Sequence, residues 1–129
     1  MAVTTNNVNV TAPRSACLGG ITPWQINASS ANASGCEEIV AAPGAAYALV
    51  IERLIIYIGA AIDVTIGEGE GAGGAVAAVL IGPLGGAAGT YVLDCRERPI
   101  QMTANKALVF DASDAGTVCI YAEGFTRAS

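Results

Sequence analysis

The second half of the chain consists of short apolar segments separated by turn-forming residues. The clearest segment is residues 62–66, where Ile62, Val64 and Ile66 alternate with polar residues; this is the period-2 pattern of a strand with one solvated face. The predicted strands cover residues 38–42, 46–57, 62–66, 75–81, 91–95, 100–103, 107–111 and 117–125. About eight short strands with no helical period predict an all-β fold, an antiparallel β-sandwich or jelly roll.

Three details of this pattern make sharper predictions. Glu52-Arg53 interrupts the long apolar stretch 46–57, and it either divides that stretch into two strands or marks a bend. Residues 67–74 are glycine-rich and are predicted to form a loop with Glu68 and Glu70 solvated, because two glutamates supply too few of the six to eight oxygens that calcium requires. A cation site shared between subunits is the alternative. The sequence Gly-Pro-Leu-Gly-Gly at 82–86 predicts a turn after the strand 75–81.

The first 36 residues differ from the rest in composition. Asn, Thr, Ser and Ala dominate them, and such a segment is too polar to form a core alone. We therefore expect an extended N-terminal arm over residues 1–36, with one or two edge strands, and a β-sandwich domain over residues 37–129. Trp24 lies in this arm and has two interpretations: it covers its own domain, or it anchors the arm in a partner's pocket.

The composition is short of charge. Only 17 of 129 residues, 13%, are charged, against about 25% in typical domains. Either the surface is made largely of small residues, or part of it is buried in an assembly or a membrane. Residues 71–93 carry no charge and are long enough to span a bilayer. Seven glycines and Pro83 in this run disfavour a helix, so we expect a buried strand and a turn, and no membrane partner.

The residue inventory excludes most catalytic chemistry. The chain has no histidine, which removes the usual general base and the commonest transition-metal ligand. No phosphate-binding or dinucleotide-binding glycine motif is present, so we expect no enzyme, no catalytic residue, no cofactor and no metal. The net charge is −5 and the cations are scattered apart from Arg96 and Arg98, so nucleic acid is not an expected partner.

Cysteines and the N-terminus bear on the compartment. The chain begins without a basic start or an apolar run, which predicts synthesis in the cytoplasm without a secretion signal. Thiols are then expected, and disulfides formed after release are the alternative. The four cysteines are Cys17, Cys36, Cys95 and Cys119.

The densest charge cluster is residues 94–98, Asp-Cys-Arg-Glu-Arg. We interpret it as a polar loop able to form salt bridges between subunits. Arg96 and Arg98 are therefore candidate partner-binding residues, together with Trp24.

Three segments carry a resemblance to a known class. They are Pro-Ile-Gln-Met-Thr-Ala-Asn-Lys-Ala-Leu-Val-Phe-Asp-Ala-Ser at 99–113, Thr-Val-Cys-Ile-Tyr-Ala-Glu-Gly-Phe at 117–125, and Pro-Gly-Ala at 43–45 before an Ile-rich strand. In pattern and spacing, residues 37–126 resemble small virion proteins of tailed bacteriophages, especially capsid decoration (cement) proteins with a sandwich or jelly-roll body.

The resemblance implies a non-enzymatic structural protein. A decoration protein binds and stabilises the assembled shell of the major capsid protein, on the outer capsid surface of the virion. It is usually a homotrimer, with an arm that reaches over neighbouring subunits. The alternatives are a phage tail or fibre module, and a carbohydrate-binding or receptor-binding sandwich. The resemblance assigns no catalytic residue to this chain.

Overall fold

The computed structural model describes residues 4–8, 21–31, 36–70 and 75–128. These residues form ten β-strands and no helix, which confirms the predicted all-β class. The strands are β1 (Thr4–Val8), β2 (Thr22–Ser30), β3 (Glu37–Val40), β4 (Tyr47–Ile58), β5 (Asp63–Gly69), β6 (Ala78–Gly85), β7 (Gly89–Asp94), β8 (Ile100–Gln101), β9 (Ala107–Ala112) and β10 (Val118–Ala128).

The strands form two antiparallel sheets that pack as a sandwich. The six-stranded sheet has the order β1-β2-β10-β4-β7, and β8 pairs with β4 beyond the end of β7. The four-stranded sheet has the order β3-β9-β5-β6. Core residues come from both sheets, with Ile56 and Ile120 from the first and Ile66 and Phe110 from the second. The β-sandwich prediction is therefore confirmed.

A β-bulge in β4 explains the charged pair inside its apolar stretch. The register with β10 passes from Arg53 opposite Glu123 to Ile51 opposite Gly124, which leaves Glu52 as the extra residue. Ile51 and Leu54 consequently both face the core, although they are three positions apart. Residues 47–58 are thus one strand with an irregularity, and the bend is the correct interpretation of Glu52-Arg53.

The N-terminal segment requires a correction at residues 22–30. These residues form β2, which lies inside the six-stranded sheet between β1 and β10 rather than in an arm outside the sandwich. Trp24, Ile26 and Ala28 point into the shared core. The outward residues that alternate with them are the polar Gln25, Asn27 and Ser29. This alternation gives the segment its polar composition. β1 is an edge strand, as expected for the start of the chain.

The turn predicted at residues 82–86 begins later than expected. β6 continues through Pro83 to Gly85, and the chain turns at residues 86–88. Gly82 allows this because it has a φ of +109° and faces the carbonyl oxygen of Val64, which a Cβ atom would approach to 2.9 Å. Shifts in the register between β5 and β6 accommodate the additional residues of β6. Among the described residues, no helix is long and apolar enough to cross a membrane.

Candidate interaction surfaces

The outward side of the six-stranded sheet presents three rows of side chains across β2, β10, β4 and β7. We call this surface the outer face. The first row is Ser29, Cys119, Tyr57 and Thr90; the second is Asn27, Tyr121, Ile55 and Val92; the third is Gln25, Glu123, Arg53 and Asp94. The first two rows are apolar at their centres, and the third is charged.

The apolar part of the outer face is open to solvent. Tyr57 and Val92 are 47% and 58% exposed, which is high for large apolar side chains in a domain with a complete core. A depression of about 330 Å³ lies beside Tyr57, with Cys119, Asn27 and Tyr121 among its lining residues. The surface therefore offers both a projecting aromatic ring and an open hollow beside it.

Side-chain contacts join two residues of the charged row to each other and to Tyr121 of the second row. The guanidinium of Arg53 lies 4.0 Å from the Glu123 carboxylate, and the hydroxyl of Tyr121 donates a hydrogen bond of 2.9 Å to the same carboxylate. Burial, and secondarily this bond to Glu123, raises the pKa of Tyr121. The negative charge of Glu123 and the positive charge of Arg53 therefore lie side by side at the edge of the apolar patch.

Two of the predicted partner-binding residues lie in the loop that follows β7. Arg96 donates two side-chain hydrogen bonds to the Asp94 carboxylate, at 2.9 and 2.6 Å, and both residues are exposed. These bonds lower the pKa of Asp94 to about 2. Asp94 ends the charged row, so Arg96 lies beside the outer face. Arg98 is exposed, and its backbone N–H closes the turn onto the carbonyl of Cys95.

Trp24 does not join these residues. Its side chain is 7% exposed and belongs to the core of its own sandwich, which is the first of its two interpretations. A buried indole has little surface to offer a partner, so the structure separates Trp24 from Arg96 and Arg98.

A second surface lacks charge altogether. Residues 75–93, which we call the uncharged edge, include the outermost strand of each sheet on one side of the sandwich, β6 and most of β7, and the short turn that joins them. Its exposed residues are Ala75, Ala77, Ala78, Val79, Gly82, Pro83, Gly86, Ala87, Ala88, Thr90 and Val92. The strand expected here as a buried one is therefore an edge strand, and Val79 is 59% exposed.

The structure corrects part of the prediction for the glutamates of the loop 67–74. Glu68 belongs to β5 and is buried, and its carboxylate accepts a hydrogen bond of 2.9 Å from the backbone of Thr103. Glu70 remains exposed and forms an ion pair with Lys106. Residues 71–74 of that loop lie outside the described residues. No group of three or more potential metal-binding side chains occurs in the described part of the chain.

Three of the four cysteines lie among the described residues. Cys36 is buried, while Cys95 and Cys119 are partly exposed and form no disulfide. Cys17 lies outside the described residues. The sequence shows the alternation of Cys119, Tyr121 and Glu123 but does not by itself reveal the outer face. What completes the surface is the pairing of β10 with β4, which places Tyr57 and Ile55 beside these residues.

Protein families and curated proteins give no guide to these surfaces. No protein-family model matches the chain, and no curated protein is significantly similar to it. The geometry of the chain itself is therefore the basis for its function.

Proposed function

We propose that this protein is a non-enzymatic structural component of a bacteriophage virion, which binds an assembled capsid shell from outside and stabilises it. The observation that supports the proposal is the uncharged edge. Charged side chains are strongly depleted at the centres of protein interfaces, because burying them costs free energy unless they are paired. A surface built from Ala, Gly, Val and Pro can approach a neighbouring protein closely at small desolvation cost.

The form of this edge limits how it can bind. Pro83 has no backbone N–H, so β6 cannot present an uninterrupted row of donors to a further strand. We therefore expect side-chain packing against the shell rather than extension of the sheet into it. A subunit that binds only the assembled shell stabilises that state by mass action.

Co-sedimentation with shells of the major capsid protein from the same genome tests the proposal. We expect saturable binding to shells and a higher melting temperature of the decorated particle. Val79→Lys and Ala87→Lys should each weaken binding by about tenfold or more, since each buries an unpaired charge. Ala45→Lys is the matched control, because Ala45 is an exposed alanine in a turn outside the uncharged edge. Lack of binding by the unmodified chain would contradict the proposal.

The alternatives predict different outcomes in the same preparation. A tail or fibre module would bind tail structures and leave empty shells undecorated. A carbohydrate-binding sandwich would bind glycans through exposed aromatic rings, and Tyr57→Ala would abolish that binding while Ala87→Lys would preserve it. Among these three functions, only shell binding is expected to depend on Val79 and Ala87.

A further inference from the structure

The outer face has the arrangement of a surface that can pair with a copy of itself. We propose that two copies of this chain associate face to face through their outer faces, about a two-fold axis that runs parallel to the strands between β4 and β10. This goes beyond shell binding and does not depend on it, because the pairing concerns the purified protein alone.

Cross-strand pairs on the outer face define how two copies can meet. Along β10 and β4, Glu123 lies opposite Arg53, Tyr121 opposite Ile55, and Cys119 opposite Tyr57. A two-fold axis between these strands places β10 of one copy over β4 of the other, at the same level along the strand. Every pair that exists within one sheet is therefore repeated between the two sheets.

The charges are self-complementary under this operation. Glu123 of one copy faces Arg53 of the second, and the reciprocal pair forms beside it. An axis perpendicular to the strands behaves differently, because it would bring Glu123 over Cys119 and Arg53 over Tyr57. Desolvating charged groups against apolar side chains is costly, so the charge pattern selects the axis parallel to the strands.

The shapes are complementary as well. In the proposed arrangement Tyr57 of each copy lies over Cys119 of the other, and Cys119 lines the depression of about 330 Å³. Tyrosine rings contribute large contact areas at low entropic cost and are enriched in interfaces. Two reciprocal ring insertions would therefore anchor the apolar half of the contact, with two reciprocal ion pairs at the charged half.

The size of the outer face determines how strongly two copies are expected to pair. Four strands at a spacing of about 4.8 Å and three rows of side chains cover roughly 19 by 20 Å. This is about 380 Å² on each copy, or roughly 760 Å² in total, which lies below the range of stable specific interfaces, so association should be weak and transient. We expect a reversible equilibrium, with pairs forming in the micromolar range or above. Trimers built through another surface would still pair, so the number of subunits in the assembly would be even.

Sedimentation equilibrium of the purified full-length chain, from about 5 to 500 μM, tests this proposal. The expected result is a mass that rises from 12.9 kDa toward twice that value, or an even multiple of it. A monomer at every concentration, or a trimer that does not double, would overturn the proposal.

A tyrosine pair provides matched variants. Tyr57→Lys should weaken pairing by about tenfold or more, since it removes the inserted ring and adds a charge. Tyr47→Lys should leave pairing unchanged, because Tyr47 is equally exposed, 45% against 47%, and lies outside the outer face. Circular dichroism establishes that both variants are folded. Equal loss of pairing in both variants would contradict the assignment of this surface.

A charge swap tests the axis. Arg53→Glu should weaken pairing by about tenfold, because it faces Glu123 of the second copy, and Arg53→Glu combined with Glu123→Arg should restore it to within about threefold. Failure of the double variant to recover pairing would overturn this axis.

Crosslinking tests the distance between the two copies. The two Cys119 residues are expected about 11 Å apart between Cα atoms, from sheet and strand spacings, which is too far for a disulfide. A short bismaleimide should therefore give a Cys119-to-Cys119 crosslink in peptide mapping; Cys119→Ser is its control, and absence of that crosslink would contradict the pairing.

Discussion

The indole ring of Trp24 packs over Gly124, its partner across the β2–β10 pairing. A Cβ atom on Gly124 would lie 2.8 Å from Cζ2 of Trp24 and 2.0 Å from the carbonyl oxygen of Val50. The largest side chain of the N-terminal segment therefore enters the core only because the facing residue has none. This contact joins β2 to the strand pair β10–β4 at the bulge.

Replacement of Gly124 by alanine should destabilise the protein. The added methyl group overlaps backbone on one side and an indole on the other, so the strands must move apart, at a cost of about 1–3 kcal/mol. Urea unfolding measures the change. Gly89→Ala is the matched control, because nothing lies within 4 Å of a Cβ atom there. Similar losses in both variants would show that strand propensity, and not the contact with Trp24, determines the effect.

Removal of residues 1–36 should abolish cooperative folding. The deletion takes away β2 and with it the buried side chains of Trp24, Ile26 and Ala28, and loss of a buried aromatic residue alone costs about 3–5 kcal/mol. Removal of residues 1–20 should leave a cooperative unfolding transition, since β2 remains. Thermal unfolding followed by circular dichroism distinguishes the two deletions. A fully folded 37–129 fragment would instead support the predicted division of the chain into an arm and a domain at residue 36.

The ion pair after β7 should be visible in an acid titration. The hydrogen bonds from Arg96 lower the pKa of Asp94 from 3.8 to about 2. Because the pKa in the folded state lies below the unfolded value, the pair stabilises the fold above about pH 4, and this contribution is lost as the pH falls toward 2. NMR titration of the carboxyl group measures the midpoint. Arg96→Ala should return it toward 3.8, and an unchanged midpoint would exclude Arg96 as the cause.

Tyr121 should ionise later than an ordinary tyrosine. Burial and the bond to Glu123 raise its pKa above 10.0, so the contribution of its neutral form to stability is complete below pH 10 and disappears as the pH rises through the folded-state pKa. Ultraviolet titration of the phenols should show one late group, and Glu123→Gln should lower its midpoint. If the late group is unaffected by that substitution, burial alone is responsible.

Local patterns predicted the strands well but not their neighbours. The alternation in residues 62–66 and 117–125 reflects one buried face, and that information lies within each segment. The position of β2 depends on pairing with β10, almost a hundred residues away. Its outward Gln25, Asn27 and Ser29 made the segment resemble a polar arm.

The interaction surfaces were predictable only in part. The absence of charge from residues 71–93 is a property of the sequence, and most of its described part lies at the surface. The outer face depends instead on which strands are neighbours, because Tyr57 and Cys119 are 62 positions apart and meet only through β4 and β10. The turn predicted at Pro83 is misplaced, because a glycine with positive φ and a register shift allow the proline to lie inside an edge strand.

A cryo-EM reconstruction of the bacteriophage virion proposed to contain this chain tests directly whether the protein binds the capsid shell. We predict density for the sandwich on the outside of the capsid, with residues 75–93 against the shell and Val79 and Ala87 buried in the contact. A particle without this protein on its capsid, or one in which the uncharged edge faces solvent, would contradict the proposed function.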